Sequence, residues 1–302
     1  MFIRPDSSAP PMRPPRDAPP GTGLDLVVQA PAIAREDVDV LVALTHADGV
    51  LPLDRAACDA YRLHDIRDDA GVAEACAAGE CDWALVPRTR TLERVRLVAM
   101  DMDSTLITIE CIDEIADLKG IKREVAAITA SAMRGEIDFR ASLTRRVALL
   151  AGLPVEALER VYAERLRLSP GAEAMLAGMR AVGAKILLVS GGFSFFTERL
   201  RARLGLDYTL SNTLEIVDGT LTGRILGDIV DAEVKAATLR RHASVLRGAD
   251  GIVVAIGDGA NDLPMLAEAD VSIAYRANPA VRAQATHAID HCGLDAVLNL
   301  FG

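Results

Sequence analysis

The chain has 302 residues, half of them hydrophobic and only 4% aromatic, and carries a formal net charge of −10. That length accommodates two domains or one large one, with a core built from Leu, Val, Ile and Ala. So acidic a chain is a poor ligand for nucleic acid or an anionic membrane, and an anionic substrate needs local positive groups or a metal to offset the global field.

Residues 1–23 hold seven of the fourteen prolines (Pro5, Pro10, Pro11, Pro14, Pro15, Pro19 and Pro20) and are expected to form a disordered tail. They contain no apolar h-region of a signal peptide, and no apolar run reaches the ~18–20 residues of a membrane span. A soluble, cytoplasmic protein is therefore expected. The cysteines (Cys58, Cys76, Cys81, Cys111 and Cys292) are dispersed without a CxxC pair. That pattern favours reduced thiols over a disulfide framework or a zinc site. His287 and His291 are four apart, as metal ligands on a helix would be. No acid or cysteine completes that set, and they read as surface histidines.

Residues 24–92 read as a small α+β domain. A strand begins at Leu24-Asp-Leu-Val-Val, residues 35–45 and 70–78 have helical spacing, and Trp83-Ala-Leu-Val is a second strand. Nothing in this unit clusters as chemistry does.

A different rhythm starts near residue 93 and runs to residue 302. Apolar strands at 96–100, 185–189, 251–256 and 271–274 alternate with helical patterns at 171–182, 193–204, 231–246 and 260–269. Near-continuous apolar strands between helices predict a parallel sheet covered on both faces. The β-rich runs 208–217 and 220–226 flank Asp218-Gly219, a hairpin signal. The first strand is followed by a long helical stretch, about 108–168, with helical periodicity over Val125–Met133, Phe139–Leu150 and Val155–Leu168. An insertion there would stand above the carboxyl ends of the strands, where open α/β sheets bind ligands.

The most informative run is Leu97-Val-Ala-Met-Asp-Met-Asp-Ser-Thr105. A strand ends in two acids, Asp101 and Asp103, whose burial without a counter-ion costs several kcal/mol or forces protonation. A divalent cation resolves the conflict, and Mg²⁺ takes carboxylate and phosphate oxygens. Three further segments lie at strand ends or helix starts. Ser190-Gly191-Gly192 offers a hydroxyl and free amides for an anion. Lys235 opens a helix where the dipole disfavours a cation, so it reads either as a solvated lysine or as a phosphate partner. Gly257-Asp258-Gly259-Ala260-Asn261-Asp262 reads either as an Asp-Gly turn with an N-cap or as a metal loop, and the first acid pair favours the metal.

The ordered set over residues 95–302 resembles the haloacid-dehalogenase (HAD) phosphohydrolase superfamily. Glu110-Cys-Ile-Asp-Glu-Ile-Ala, Met133-Arg-Gly-Glu-Ile-Asp-Phe139 and Ser142-Leu-Thr-Arg-Arg146-Val resemble its phosphoserine-hydrolysing branch. The resemblance implies a Rossmann-like α/β core with a helical cap of the C1 type inserted after the first strand. Related enzymes carry an ACT-like regulatory domain at the N-terminus, which residues 24–90 match loosely. The expected reaction is hydrolysis of O-phospho-L-serine through an aspartyl-phosphate, the last step of L-serine synthesis.

The resemblance also implies roles. Asp101 would be the nucleophile and Asp103 the acid and then the base. Mg²⁺ would be held by Asp101, Asp258 and the main-chain carbonyl of Asp103, with Asp262 orienting that shell. Ser190, the Gly191 amide and Lys235 would hold phosphate, and Asn261 would help fix the substrate. Glu110 would accept the ammonium and Arg146 the carboxylate, while Met133 and Phe139 would close over the ligand. Read from residues alone, Glu110 is equally a helix-start acid, Arg146 a solvated arginine, and Met133 and Phe139 cap core. The expected partner is a small phosphorylated amino acid, without nucleic acid or membrane; a homodimer is compatible. Two other functions fit parts of the pattern: a phosphotransferase using an alcohol such as homoserine, and an amino-acid-responsive regulator with a dormant core. The intact Asp101, Asp103, Lys235 and Asp258 set argues against dormancy.

Overall fold

The computed structural model describes residues 23–302, so the expected disordered tail lies, but for Gly23, outside the described residues. The N-terminal part folds as β1 (Leu24–Ala30), α1 (Arg35–Thr45), β2 (Gly49–Leu53), β3 (Asp59–Ile66), α2 (Val72–Ala78) and β4 (Asp82–Pro87). Its strands form an antiparallel sheet in the order β2-β3-β1-β4. The outer strands of the sequence reading are present, but β2 and β3 are additions. Both escape the periodicity signal. β2 is an edge strand with Pro52 and three exposed residues, and β3 interleaves charged Arg62, His64 and Asp65 among its apolar positions.

The second sheet is built from β5 (Val95–Met100), β6 (Lys185–Phe193), β7 (Tyr208–Val217), β8 (Thr220–Leu226), β9 (Ile252–Gly257), β10 (Val271–Tyr275) and β11 (His287–Ile289). Their order is β11-β10-β9-β5-β6-β7-β8, parallel throughout except for the β7–β8 hairpin. Asp218 and Gly219 turn that hairpin with φ of 49° and 74°, the doubly positive pair its twist demands. β5 lies centrally, and its residues Val95, Leu97, Val98, Ala99 and Met100 have no solvent exposure. This two-sided burial is why the strand reads as an unbroken apolar run.

Between β5 and β6 the chain makes α3 (Cys111–Lys119), α4 (Lys122–Met133), α5 (Phe139–Ala148), α6 (Glu156–Arg160) and α7 (Ala172–Ala181). The helix expected over Val155–Leu168 is cut short. After α6 one wider turn runs to Arg165, and then Leu168 becomes extended to bridge Ile107. Thr108 N donates to Arg167 O (3.0 Å), and Ser169 N to Leu106 O (2.9 Å). The two ends of the helical insertion thus leave the sheet as one paired strap. Its far side is tied to the hairpin by Gly152 N to Leu221 O and Leu221 N to Leu153 O, both 2.8 Å.

The remaining helices are α8 (Ser194–Leu204), α9 (Ala232–Leu246), α10 (Leu263–Glu268) and α11 (Pro279–Arg282). The two sheets are sewn together by polar contacts. The Asp82 carboxylate accepts from the amides of Asp290, His291 and Cys292, and Arg62 donates to the carbonyls of Asn299 and Phe301. The histidine pair is not on a helix. His287 lies in β11, buried beside Arg90, and burial followed by the Arg90 charge holds its pKa well below the ordinary range. Only His291 is at the surface.

Candidate active site

β5 delivers Asp101 at its carboxyl end, and the next residues leave the sheet in a tight turn. Ser104 there takes a left-handed φ of 56° and donates its hydroxyl to Glu110 (2.7 Å). The turn aims Asp101 and Asp103 apart. Asp101 Oδ1 accepts from Met102 N (2.7 Å), while Asp103 Oδ1 accepts from Cys111 N (3.2 Å) at the start of α3.

The strand expected over 185–189 does not end at the glycines. The strand continues through Ser190-Gly191-Gly192 to Phe193, with its pairing to β7 interrupted between Val189 and Phe193. The glycines answer a packing demand. A Cβ on Gly192 would stand 2.7 Å from Met102 Cε and 2.9 Å from Asp103 Oδ2. A Cβ on Gly191 would meet the Phe139 ring at 3.0 Å. Ser190 is buried and its Oγ accepts from Gly192 N (2.9 Å).

α9 explains its own lysine. Asp231 caps the helix, accepting from Val234 N, and one turn in, Lys235 is 1% exposed. Its ammonium lies 2.7 Å from Asp101 Oδ2 and 2.8 Å from Asp262 Oδ1. The solvated reading of Lys235 is thereby excluded. Burial works to depress the lysine, but Asp101 and Asp262 overcome it and hold it above the usual ammonium range. Asp262 also accepts from Gly259 N through Oδ2 (3.1 Å), and Thr105 donates to Asp258 Oδ1 (2.6 Å).

Ligand oxygens of Asp101, Asp258 and Asp262 lie within 4.8 Å of one another. Burial, reinforced by the Asp101 charge, pushes Asp258 up to about 6 and Asp262 up to about 7, against the opposing Lys235. One ammonium does not balance three carboxylates, so the donor set fits a hard divalent cation. Asp262 already spends both oxygens on Lys235 and Gly259, whereas Asp258 keeps one free. The Asp103 carboxylate is outside this cluster, turned to Cys111. Burial, then the Glu110 charge, push its pKa well above the carboxylate range.

A cavity of about 320 Å³ opens between the sheet and the helical insertion. It brings together Asp101, Asp103, Ser190, Gly191, Asp258 and Asn261 from the sheet side, and Glu110, Met133, Phe139 and Arg146 from the helices. Lys235 and Asp262 stand behind Asp101 rather than in its wall. Met133 is 84% exposed at the end of α4, so it is not core; Phe139 is half-buried. Glu110 is exposed onto the cavity; protein surrounds it on the other sides, and burial raises its pKa against the Ser104 hydrogen bond. Burial lowers the pKa of Arg146 while Asp113, Glu110 and Asp103 oppose the shift.

The sequence reading missed Ser142. It is 1% exposed, lines the cavity one helical turn before Arg146, and its Oγ has no hydrogen-bond partner. Arg146 Nε is buried and unpartnered in the same wall. A helical serine ordinarily donates to the carbonyl four residues back. Two orphan polar atoms on one helix face cost about 1–3 kcal/mol each unless a ligand meets them. The i, i+4 spacing to Arg146 was the available signal.

Residues 98–267 match the family model of haloacid dehalogenase-like hydrolases. A phosphoserine phosphatase of Polaromonas sp. is 54% identical over 214 residues, 69% of this chain and 91% of that protein. The crystal structure of an HAD-family hydrolase from Salmonella enterica serovar Typhi superposes with a TM-score of 0.81 at 35% identity, covering 92% of this chain and 98% of that one. A probable phosphoserine phosphatase from Vibrio cholerae, solved unliganded, gives a TM-score of 0.77 at 37% identity, covering 91% and 85%. Coverage of 92% exceeds what residues 95–302 supply, so the likeness to the Salmonella protein takes in the N-terminal sheet as well.

Proposed function

We infer, since this chain belongs to the haloacid dehalogenase-like hydrolase family, that it hydrolyses O-phosphoserine to serine and inorganic phosphate. The observation that carries the reading is one cavity in which Asp101 and Asp103 face Glu110 and Arg146, whose buried Nε has no hydrogen-bond partner. The relative 54% identical over most of its length has the same named activity.

The proposed steps follow from the placement of the acids. Asp101 attacks phosphorus in line, forming an acyl–phosphate bond as the ester P–O bond breaks. Asp103, whose pKa burial and the Glu110 charge raise, gives its proton to the leaving serine oxygen. It then accepts a proton from the water that cleaves the aspartyl-phosphate. Lys235 orients Asp101 at 2.7 Å, and Asp262 holds Lys235 at 2.8 Å. Ser190 and the Gly191 amide face the phosphate oxygens, with Asn261 at the rim. Glu110 takes the substrate ammonium, Arg146 with Ser142 takes its carboxylate, and Met133 and Phe139 cover it. Asp101, Asp258 and the Asp103 carbonyl would hold Mg²⁺, which when bound neutralises charge on the transferring phosphoryl group. The division we propose is a unit at 24–92 and a catalytic unit at 93–302 with its cap at about 108–168.

A phosphate-release screen over phosphoserine, other phosphorylated amino acids and sugar phosphates, with and without Mg²⁺, tests the assignment. Phosphoserine should be preferred, and phosphate should appear without an added alcohol. Release that depends on an acceptor such as homoserine would replace hydrolysis by transfer.

Removing the Arg146 guanidinium as Arg146→Ala lowers kcat/KM for phosphoserine about 10–150-fold, the worth of a charged hydrogen bond. Ser142→Ala costs about 3–10-fold, mostly in KM. Neither change affects phosphoethanolamine, which lacks the carboxylate. Equal losses on both substrates would remove these two residues from carboxylate recognition.

Metal binding should also register in stability. Unfolding returns Asp258 and Asp262 from about 6 and about 7 to the ordinary carboxylate range. The folded state therefore binds more protons in between, and the stability it gains below pH 4 is lost as pH rises through 6 and 7. A divalent cation replaces those protons. Mg²⁺ thus raises Tm more at pH 8 than at pH 5.5; a gain independent of pH would disprove the coupling.

A further inference from the structure

The helical insertion meets the core at a further point, beside the start of α5. Phe139, Ser142, Leu143 and Arg146 line the cavity at the i, i+3, i+4 and i+7 positions of that helix. Arg140 stands off this stripe and reaches across to the loop before α9. Its Nε donates to Asp231 Oδ2 (2.6 Å), its Nη2 lies 2.6 Å from the same oxygen, and Nη2 also donates to Ile229 O (3.5 Å). Asp231 uses its two oxygens separately. Oδ1 accepts from Val234 N (3.1 Å) and caps α9, while Oδ2 takes the guanidinium. Burial works to raise the Asp231 carboxyl, yet the Val234 amide and then Arg140 hold it below the ordinary range.

The loop that receives Arg140 is itself fixed to the phosphate side of the cavity. Val230 N donates to Asn212 Oδ1, and Asn212 Nδ2 donates to Gly191 O, both at 2.8 Å. Lys235 N donates to Asp231 O (3.0 Å) in the first turn of α9. Phe139, next to Arg140, stands over Gly191, where a Cβ would meet its ring at 3.0 Å. The start of α5 is therefore tied through two adjacent residues to the strand that carries Gly191 and the helix that carries Lys235. Any shift in that start is carried along a rigid helix to Ser142 and Arg146.

We propose that Arg140 is a positioning residue for substrate binding: its pairing with Asp231 sets α5 where Phe139 closes on Gly191 and where Ser142 and Arg146 reach the amino-acid end of the substrate. The proposal rests on the phosphoserine reading above. It gives Arg140 no contact with substrate and no step in the chemistry. The Arg140 side chain is 52% exposed and that of Asp231 19%, so the pair adds little to folding stability and salt screens it. Its loss should register in KM rather than in kcat or Tm.

The test is a double-mutant cycle on phosphoserine hydrolysis by the full-length protein. Asp231→Asn removes the charge but keeps a helix cap of equal rank. Arg140→Ala and Asp231→Asn should each raise KM about 2–5-fold at low ionic strength, with kcat within about twofold of the parent. The double variant should be no worse than either single one, and Arg140→Lys should recover part of the loss. In about 0.5 M NaCl the KM values of parent and variants should converge. An unchanged KM, losses that multiply in the double variant, or a fall in kcat alone would each overturn the proposal. Hydrogen exchange reads the same contact without substrate. Arg140→Ala should speed exchange of the α5 amides over 141–146, and exchange equal to the parent's would also overturn it. That measurement decides the placement of α5 even if Asp231→Asn fails to fold. A parent that leaves phosphoserine intact would instead strike the proposed activity, a result distinct from any of these.

Discussion

Replacing Asp101 with asparagine lowers phosphoserine turnover by at least about 10⁴-fold while the protein stays folded. An amide oxygen is too weak a nucleophile to displace serine from phosphorus, and no neighbouring acid is placed to substitute. Asp103 is turned toward Cys111 and Asp258 accepts from Thr105. The substitution keeps the side-chain volume at a site that is 6% exposed, so no cavity is created. It removes the carboxylate facing Lys235 but also relieves the like charge that raises Asp258 and Asp262. These terms oppose each other, and Tm should move little. Phosphate release and thermal unfolding on one preparation check both halves. Activity within tenfold of the parent would take Asp101 out of the chemistry; an unfolded variant would make it a stability residue.

Lys235→Met carries the second large effect, on stability and rate together. The ammonium is buried between Asp101 and Asp262 at 2.7 and 2.8 Å. Breaking a buried charge cluster by deleting one partner costs about 3–5 kcal/mol, because the remaining carboxylates stay desolvated and face each other. The sign with pH follows. Without Lys235 the pKa of Asp262 rises further above its value of about 7, so the loss is smallest near pH 5 and grows as pH rises through neutrality. Mg²⁺ should recover part of the stability by restoring positive charge. Turnover should remain at least about 100-fold down, since Asp101 loses the group that orients it. Urea unfolding at pH 5 and pH 8, with and without Mg²⁺, separates these effects. A variant as stable as the parent at pH 8 would show that the lysine balances nothing.

The strap between Ile107 and Leu168 and the hairpin contacts at Gly152 and Leu221 give these predictions a frame. The helices that carry Glu110 and Arg146 are held at one end by the paired strap and at the other by hydrogen bonds to the hairpin. The residues proposed for the amino-acid part and those proposed for phosphorus therefore line one cavity from opposite sides. Moving the cap relative to β5 changes both, which is why Arg146 and Ser142 are separable from Asp101 only by choice of substrate.

Several elements could be read from residues alone because their signals are local. Two-sided burial leaves β5, β9 and β10 as apolar runs, Asp218-Gly219 supplies the positive φ values its hairpin needs, and acids at the end of β5 announce a charge problem. Other features have no local signature. β2 and β3 lack clean alternation because one is an edge and the other turns polar residues onto the seam with the second sheet. Ser190-Gly191-Gly192 looks like a turn, yet it continues β6 because the lost Cβ atoms admit Met102, Asp103 and Phe139. His287 is spaced as a helical ligand and instead fills β11. The amino-acid order thus determined which residue types were available for phosphoryl chemistry, and in what succession. Packing alone decided that Lys235 neutralises Asp101 and that Ser142 and Arg146 share an unsatisfied face. Such pairings join distant segments through burial, and no periodicity along the chain encodes them.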